Sequence, residues 1–305
     1  MPWLKPRVLS PSTPRKFSRN RPSPNLDGLL IWILRAIATV SAIIVVLILA
    51  FLIKEALPVI KKAGLQSFFL DATWHPTDGD YNLLPMILGT MWTTVGAMIL
   101  ATPLGIISAI FCQFYAPHFL AQLYRRLLEL LAGIPSVVYG FWGLVVLVPM
   151  INQIQPPGAS VLAGILILTL MILPTIALIA DASFAKVPTS YLTGSKALGI
   201  SQWGMVWGVA IPAAKSGLMT AGILATGRAL GETMAVLMVC GNVVKTPTGL
   251  FDPVRTLTAN IALEMAYALG DHRAALFVSG LMLMVVVIGL IAAAEWVVAE
   301  GKNYG

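Results

Sequence analysis

Long apolar runs separated by short polar stretches set the pattern of this chain. A helix needs about 20 mostly apolar residues to cross the hydrocarbon core of a bilayer. Six runs meet that length, at about 29–53, 85–111, 127–150, 161–180, 217–239 and 274–299. The first follows a basic stretch, as the apolar core of a signal peptide does. It is much longer than the roughly 7–15 apolar residues of such a core, so it is read as an uncleaved anchor. Arg35, near its start, is long enough to snorkel to the membrane surface.

Composition agrees with the pattern. Hydrophobic residues make up 58% of the 305 positions, charged residues only 11%, and mean hydropathy is +0.85. Soluble domains carry about 25% charged residues, so the reading is an all-α membrane protein of six transmembrane helices. The net charge of +7 would suit a nucleic-acid partner, but its placement argues against one. Lys5, Arg7, Arg15, Lys16, Arg19 and Arg21 crowd into residues 1–27, among prolines and serines. That composition predicts a disordered tail held near anionic lipid. The same tail, with Arg125, Arg126, Lys186, Lys196, Lys215 and Lys302, places both termini and the 181–216 loop on the cytoplasmic side by the positive-inside rule.

The connections differ in character. On the outer side, 54–84 includes WHPTDGDYN and 241–273 includes KTPTGLFDPVRT. His75, Asp78 and Asp80 match no trusted ligand spacing and read as a polar turn. Trp74 and Tyr81 suit the membrane interface, and 260–269, containing Glu264, suits a short surface helix. The inner 181–216 loop is predicted to hold two short helices, one carrying Leu192, Ala197, Leu198 and Ile200. A turn at Gly199 leads to the second, about 202–209, ahead of Pro212. Such a compact element on one face is a docking shape, or else an amphipathic linker on the lipid surface. Cys112 and Cys240 lie in or beside different apolar runs and suggest no disulfide. The chain contains no G-x-x-x-x-G-K-[ST], no G-x-S-x-G and no H-E-x-x-H, and its three histidines are scattered over loops. It is therefore expected to have no catalytic residues, metal or cofactor of its own.

One stretch breaks the apolar rule. GRALGET, residues 227–233, puts Arg228 and Glu232 inside the fifth run. Each charge costs about 2.5–3.5 kcal/mol at a bilayer centre on the insertion scale. Spaced i and i+4 on one helix, the two can meet. Gly227 and Gly231 make a G-x-x-x-G for close helix packing. The pair is either a strut or part of a substrate path, and a guanidinium fork matches the oxygens of an oxyanion such as phosphate.

The residues also carry a resemblance. The inner loop resembles the so-called EAA loop of type I ABC importer permeases: Gly199, nine residues, then Val209, Ala210, Ile211 and Pro212, with Thr193, Gly194 and Ser195 in the E-A-A slot. ELLAGIPSVVYGFWG (129–143), GRALGETMAVLMVCGN (227–242) and DPVRTLTANIALEMA (252–266) resemble the phosphate-specific permeases of the PstC branch. The resemblance spans roughly 85–300. It implies a type I importer permease fold, organised as a tail (1–27), a first helix with a periplasmic loop (28–84) and a permease core (85–300) with a coupling loop at 182–216. It implies a bacterial inner-membrane subunit of an ATP-driven phosphate importer. The partners implied are a PstA-type sister permease, a PstB-type ATPase dimer that binds the ATP and Mg, and a periplasmic phosphate-binding protein. It further implies that Arg228 and Glu232 serve phosphate passage, and that Ser195, Lys196, Ala197, Leu198, Gly199, Ile200, Val209, Ile211 and Pro212 contact the ATPase. A permease for another oxyanion such as sulfate or molybdate, and an anion channel or secondary transporter working without ATP, are the competing readings.

Overall fold

The computed structural model describes residues 24–302, with side chains from 28 to 292. Most of the expected basic tail lies outside the described residues. Its last few positions already belong to the first helix, α1 (Pro24–Ala63), so the helix starts earlier than the apolar run suggests. The chain divides at Ala50 into two units. The first holds the N-terminal part of α1, whose side chains are largely exposed and apolar, the composition of a surface solvated by lipid.

The second unit is a helical bundle. After α1 come a single turn, α2 (Ser67–Leu70), and a small antiparallel hairpin, β1 (Trp74–His75) with β2 (Asp80–Tyr81). The polar turn expected around His75 and Asp78 is the tip of this hairpin. Trp74 and Tyr81 are buried against the bundle, at 5% and 4% exposure. Next comes α3 (Leu84–Ile110), continued by a π-helical turn at Phe111–Tyr115. The most enclosed span is α7 (Val161–Ala185), with Ser160 capping its first turn. It lies against α3, whose small residues let the two helices close up: a Cβ at Gly96 or Gly105 would run into Ile165 or Ile176. With no hydrophobic drive between helices in lipid, such close approach supplies the packing energy.

Two expected spans are broken. The third is two helices, α4 (His118–Ala132) and α5 (Ser136–Trp142), meeting at 90°. Pro135 is the cause: its ring disfavours α geometry at Ile134, and the helix stops at Gly133. Past α5 the path runs through a π turn, Gly143–Leu147, into α6 (Val148–Asn152). The inner loop folds as α8 (Thr189–Ala197) and α9 (Gln202–Met205), joined through Gly199. The second short helix does not stop at Pro212. It passes through a third π turn, Val206–Ala210, into α10 (Ile211–Leu230), where Pro212 occupies the opening turn and needs no N–H. The fifth expected span is the second broken one: α10 ends at Leu230 and α11 (Met234–Val239) begins after a three-residue gap. The chain closes with α12 (Leu257–Glu264) and α13 (Gly270–Lys302). Among the described residues, five helices are long and apolar enough to cross a membrane, or six if the bent pair counts as one span.

Three apolar clusters lie along α3. Met86 joins Phe68, Trp74, Tyr81 and Leu276 at the hairpin end. Ala97 and Ala101 join Ile167, Met171 and Val239 in the middle. Ala109 joins Phe184, Val187 and Ala210 at the end that carries α8 and α9. Cys112 and Cys240 are buried free thiols.

Candidate functional site

The break between α10 and α11 gathers the intramembrane charges. Gly231 caps α10, with its N–H returning to Gly227 and Ala229. The chain then turns, and Glu232 Oε1 accepts the Ala235 N–H at 3.0 Å, closing the exposed start of α11. Glu232 is thus a helix-start cap, a role that suits a carboxylate facing orphan N–H groups. The expected i, i+4 partnership with Arg228 does not form, because no continuous helix joins the two. Among the described residues, no carboxylate lies within 4.0 Å of Arg228. Arg228 is half-buried in the last turn of α10, within electrostatic range of the Tyr139 hydroxyl on α5. Tyr139 itself donates to the Leu131 carbonyl at 2.9 Å. The result is a guanidinium with free donors beside an opening in a helix, a geometry that can take an oxyanion.

The two glycines, Gly227 and Gly231, make no close contact with another helix of this chain. A Cβ added at Gly227 meets nothing within 4 Å, and one at Gly231 meets only the Gly227 carbonyl of its own helix, so within this chain neither is a packing glycine. The close approach at the break is made by Gly140 of α5, where a Cβ would sit 2.9 Å from both Ala235 Cα and Met238 Sδ. The space beside Gly227 is open within this chain.

A buried polar node lies at the hairpin end. Glu264, 7% exposed, accepts from Trp74 Nε1 at 2.9 Å and from Arg255 Nη1 at 2.5 Å, and faces His272 Nε2 at 2.9 Å. Burial raises the Glu264 pKa, but the Trp74 and His272 hydrogen bonds and the Arg255 charge outweigh it and hold the carboxyl below its ordinary value. Arg255 also donates to Asn260 Oδ1 at 3.1 Å and to the Asn242 carbonyl at 3.0 Å. The sequence reading missed this node. An acidic residue in an otherwise apolar short helix was its one visible signal; the partners come from segments up to 190 residues away.

At the other end, α8 and α9 form a projecting elbow. Gly199 has φ +71°, the left-handed geometry that lets the chain reverse there. Its N–H bonds the Lys196 carbonyl, and the Ile200 N–H bonds the Ser195 carbonyl. Ser195 is buried and ties inward to the Leu192 carbonyl. Lys196, Ala197, Leu198 and Ile200 point outward, and Leu198 is 80% exposed. Trp203 and Trp207 extend this apolar surface. Val209, Ile211 and Pro212 lie in the root of the elbow, where Ile211 packs against the Phe184 cluster. The structure therefore separates the two candidate regions, joining the elbow to the charged break through α10.

A bundle of long apolar helices with broken spans, a half-buried arginine at one break and an exposed apolar elbow at one end is laid out as a multi-span membrane protein. Residues 101–299 match the family described as binding-protein-dependent transport system inner membrane component, and the chain belongs to that family. It is 44% identical over 218 residues to a probable ABC transporter permease protein, YqgH, of Bacillus subtilis, covering 67% of this chain and 71% of that one. It is 34% identical over 250 residues to the phosphate transport system permease protein PstC of Xylella fastidiosa, covering 75% and 77%. Among solved structures, a bacterial alginate ABC transporter chain superposes with a TM-score of 0.62 at 14% identity, over 88% of this chain and 94% of that one. A chain of the MetNI methionine ABC transporter gives 0.55 at 18%, over 72% and 94%. These likenesses establish the type I ABC importer permease fold.

Proposed function

We propose that this chain is the permease subunit of an ATP-driven phosphate importer, forming the translocation path with a sister permease. The observation that carries the proposal is the agreement of relatives named PstC, 34–36% identical over about three quarters of the chain, with a free guanidinium at the helix break. Arg228 receives the phosphate oxygens, and Glu232, fixed as a cap, limits how deeply an anion settles. The open space beside Gly227 is where the PstA-type sister completes the path. Both termini lie in the cytoplasm, which puts the hairpin and α12 towards the periplasmic phosphate-binding protein. The elbow at Ser195–Ile200 then faces a PstB-type ATPase dimer, and its exposed Leu198 and Trp203 seat in a groove there.

An external ATPase is a sufficient source of the energy such import needs. Concentrating an ion 1,000-fold costs about 4 kcal/mol. Each negative charge moved inward adds about 2.3 kcal/mol per 100 mV. This chain has no P-loop, so hydrolysis falls to the partner. Labelled phosphate uptake into vesicles holding the assembled transporter, with and without ATP, tests the reading. Uptake that ignores the ATPase refutes it. Arg228→Gln should cut uptake at least tenfold, on the order of one lost charge-assisted contact, with the complex still assembled. A complex that falls apart instead makes Arg228 a strut.

A further inference from the structure

The segment that follows α11 reaches back and holds both ends of it. At the start, Thr258 Oγ1 donates to the Glu232 carbonyl at 2.8 Å. At the far end, Arg255 Nε donates to the Asn242 carbonyl, while Asn242 Nδ2 donates to the Leu237 carbonyl at 2.7 Å. Backbone bonds add to the grip: Asn242 N–H to the Val254 carbonyl and Val254 N–H to the Cys240 carbonyl. The holder is itself anchored. The Leu257 N–H bonds Thr90 Oγ1 of α3 at 3.0 Å, and Glu264 at the other end of α12 ties to Trp74 and His272. Thr258 is buried, and its hydroxyl lies 3.0 Å from that of Thr256, which caps α12.

We propose that α12 is a clasp that sets the charged break from outside, and that Thr258 is the positioning residue of that clasp. The physical reason is local. Glu232 aims its carboxylate at the Ala235 N–H only while its own peptide plane is fixed, and the Thr258 hydroxyl is the side chain that fixes it. A displacement of the hairpin end therefore reaches the Arg228–Glu232 opening through one short helix. The inference rests on the proposed transport role but reads a geometry independent of it.

The test uses the complete transporter in lipid nanodiscs and vesicles, with Thr258→Val, which removes the hydroxyl at constant volume, and Thr258→Ser, which keeps it. Amide hydrogen exchange at Ala235 and Leu237 should quicken about fivefold in the valine variant, as expected for one lost hydrogen bond, and stay near the parent in the serine variant. ATP hydrolysed per phosphate imported should rise by a similar factor in the valine variant and be restored by serine. Unchanged exchange in Thr258→Val overturns the clasp. Faster exchange with unchanged stoichiometry overturns the positioning role. Serine behaving like valine shows that bulk, not the hydroxyl, matters, and also overturns it. A valine complex that does not assemble leaves the serine variant to decide: parent-like exchange and stoichiometry support the hydroxyl, and a shift in either overturns it. If the parent complex imports no phosphate while exchange responds as expected, the transport reading fails and the clasp stands.

Discussion

Replacing Glu264 with glutamine tests the buried node directly. The carboxylate offers two oxygens to three neighbours: Oε1 to Arg255, Oε2 to Trp74 and His272. Glutamine offers one oxygen. Whichever way the amide is turned, Arg255 or Trp74 faces its NH2, donor against donor. An orphaned buried donor costs about 1–3 kcal/mol. Arg255 also loses its counter-charge; the two side chains are 18% and 10% exposed, so solvent screens little of that loss. Breaking a fully buried pair costs about 3–5 kcal/mol, which bounds the total, and roughly 2–4 kcal/mol is expected here. Unfolding in mixed micelles, followed by tryptophan emission, measures it, since the Trp74 indole sits on the carboxylate. Combining Glu264→Gln with Arg255→Gln should recover part of the loss, because the stranded charge is gone. A single variant within about 0.5 kcal/mol of the parent, the range of ordinary surface changes, would refute the node as a structural element.

Lowering pH should weaken the same node. The folded Glu264 pKa lies below its ordinary value of 4.5, so the unfolded chain binds the proton first. The contribution is whole above that value and is lost as pH falls through the folded one, and a stability profile from pH 7 to 3 should flatten below 4.5 in Glu264→Gln. Gly140→Ala should press a methyl into Ala235 and Met238. Overpacking of that kind costs about 1–3 kcal/mol, and uptake should fall more than assembly, read by transport per purified complex. Gly199→Val forces a β-branched residue to φ +71° in open space, a backbone cost of about 1–2 kcal/mol. It should lower ATPase association, measured by co-purification, with the membrane bundle intact.

Hydrophobic runs made the spans legible because lipid imposes one simple rule on length and polarity. They could not show where a span breaks. The 127–150 run looks continuous, yet Pro135 turns it through a right angle, and the proline was readable only as part of a motif. GRALGET drew notice as two charges in an apolar run. The i, i+4 rule that pairs them assumes an unbroken helix, and here the helix ends at Gly231, between the two charges. Trp74, Arg255, Glu264 and His272 stood in separate loops, and nothing short of the fold brings them together.

The three π turns, at Phe111–Tyr115, Gly143–Leu147 and Val206–Ala210, bear on how such chains can vary in length. A π turn is an α-helix that has taken in one surplus residue while its flanks keep their faces. Each is therefore a place where a residue can be dropped without rotating what lies on either side. In an alignment of related permeases, single-residue gaps should fall inside these three windows. The tight α3–α7 seam, where Gly96 and Gly105 leave no room for slippage, should show none.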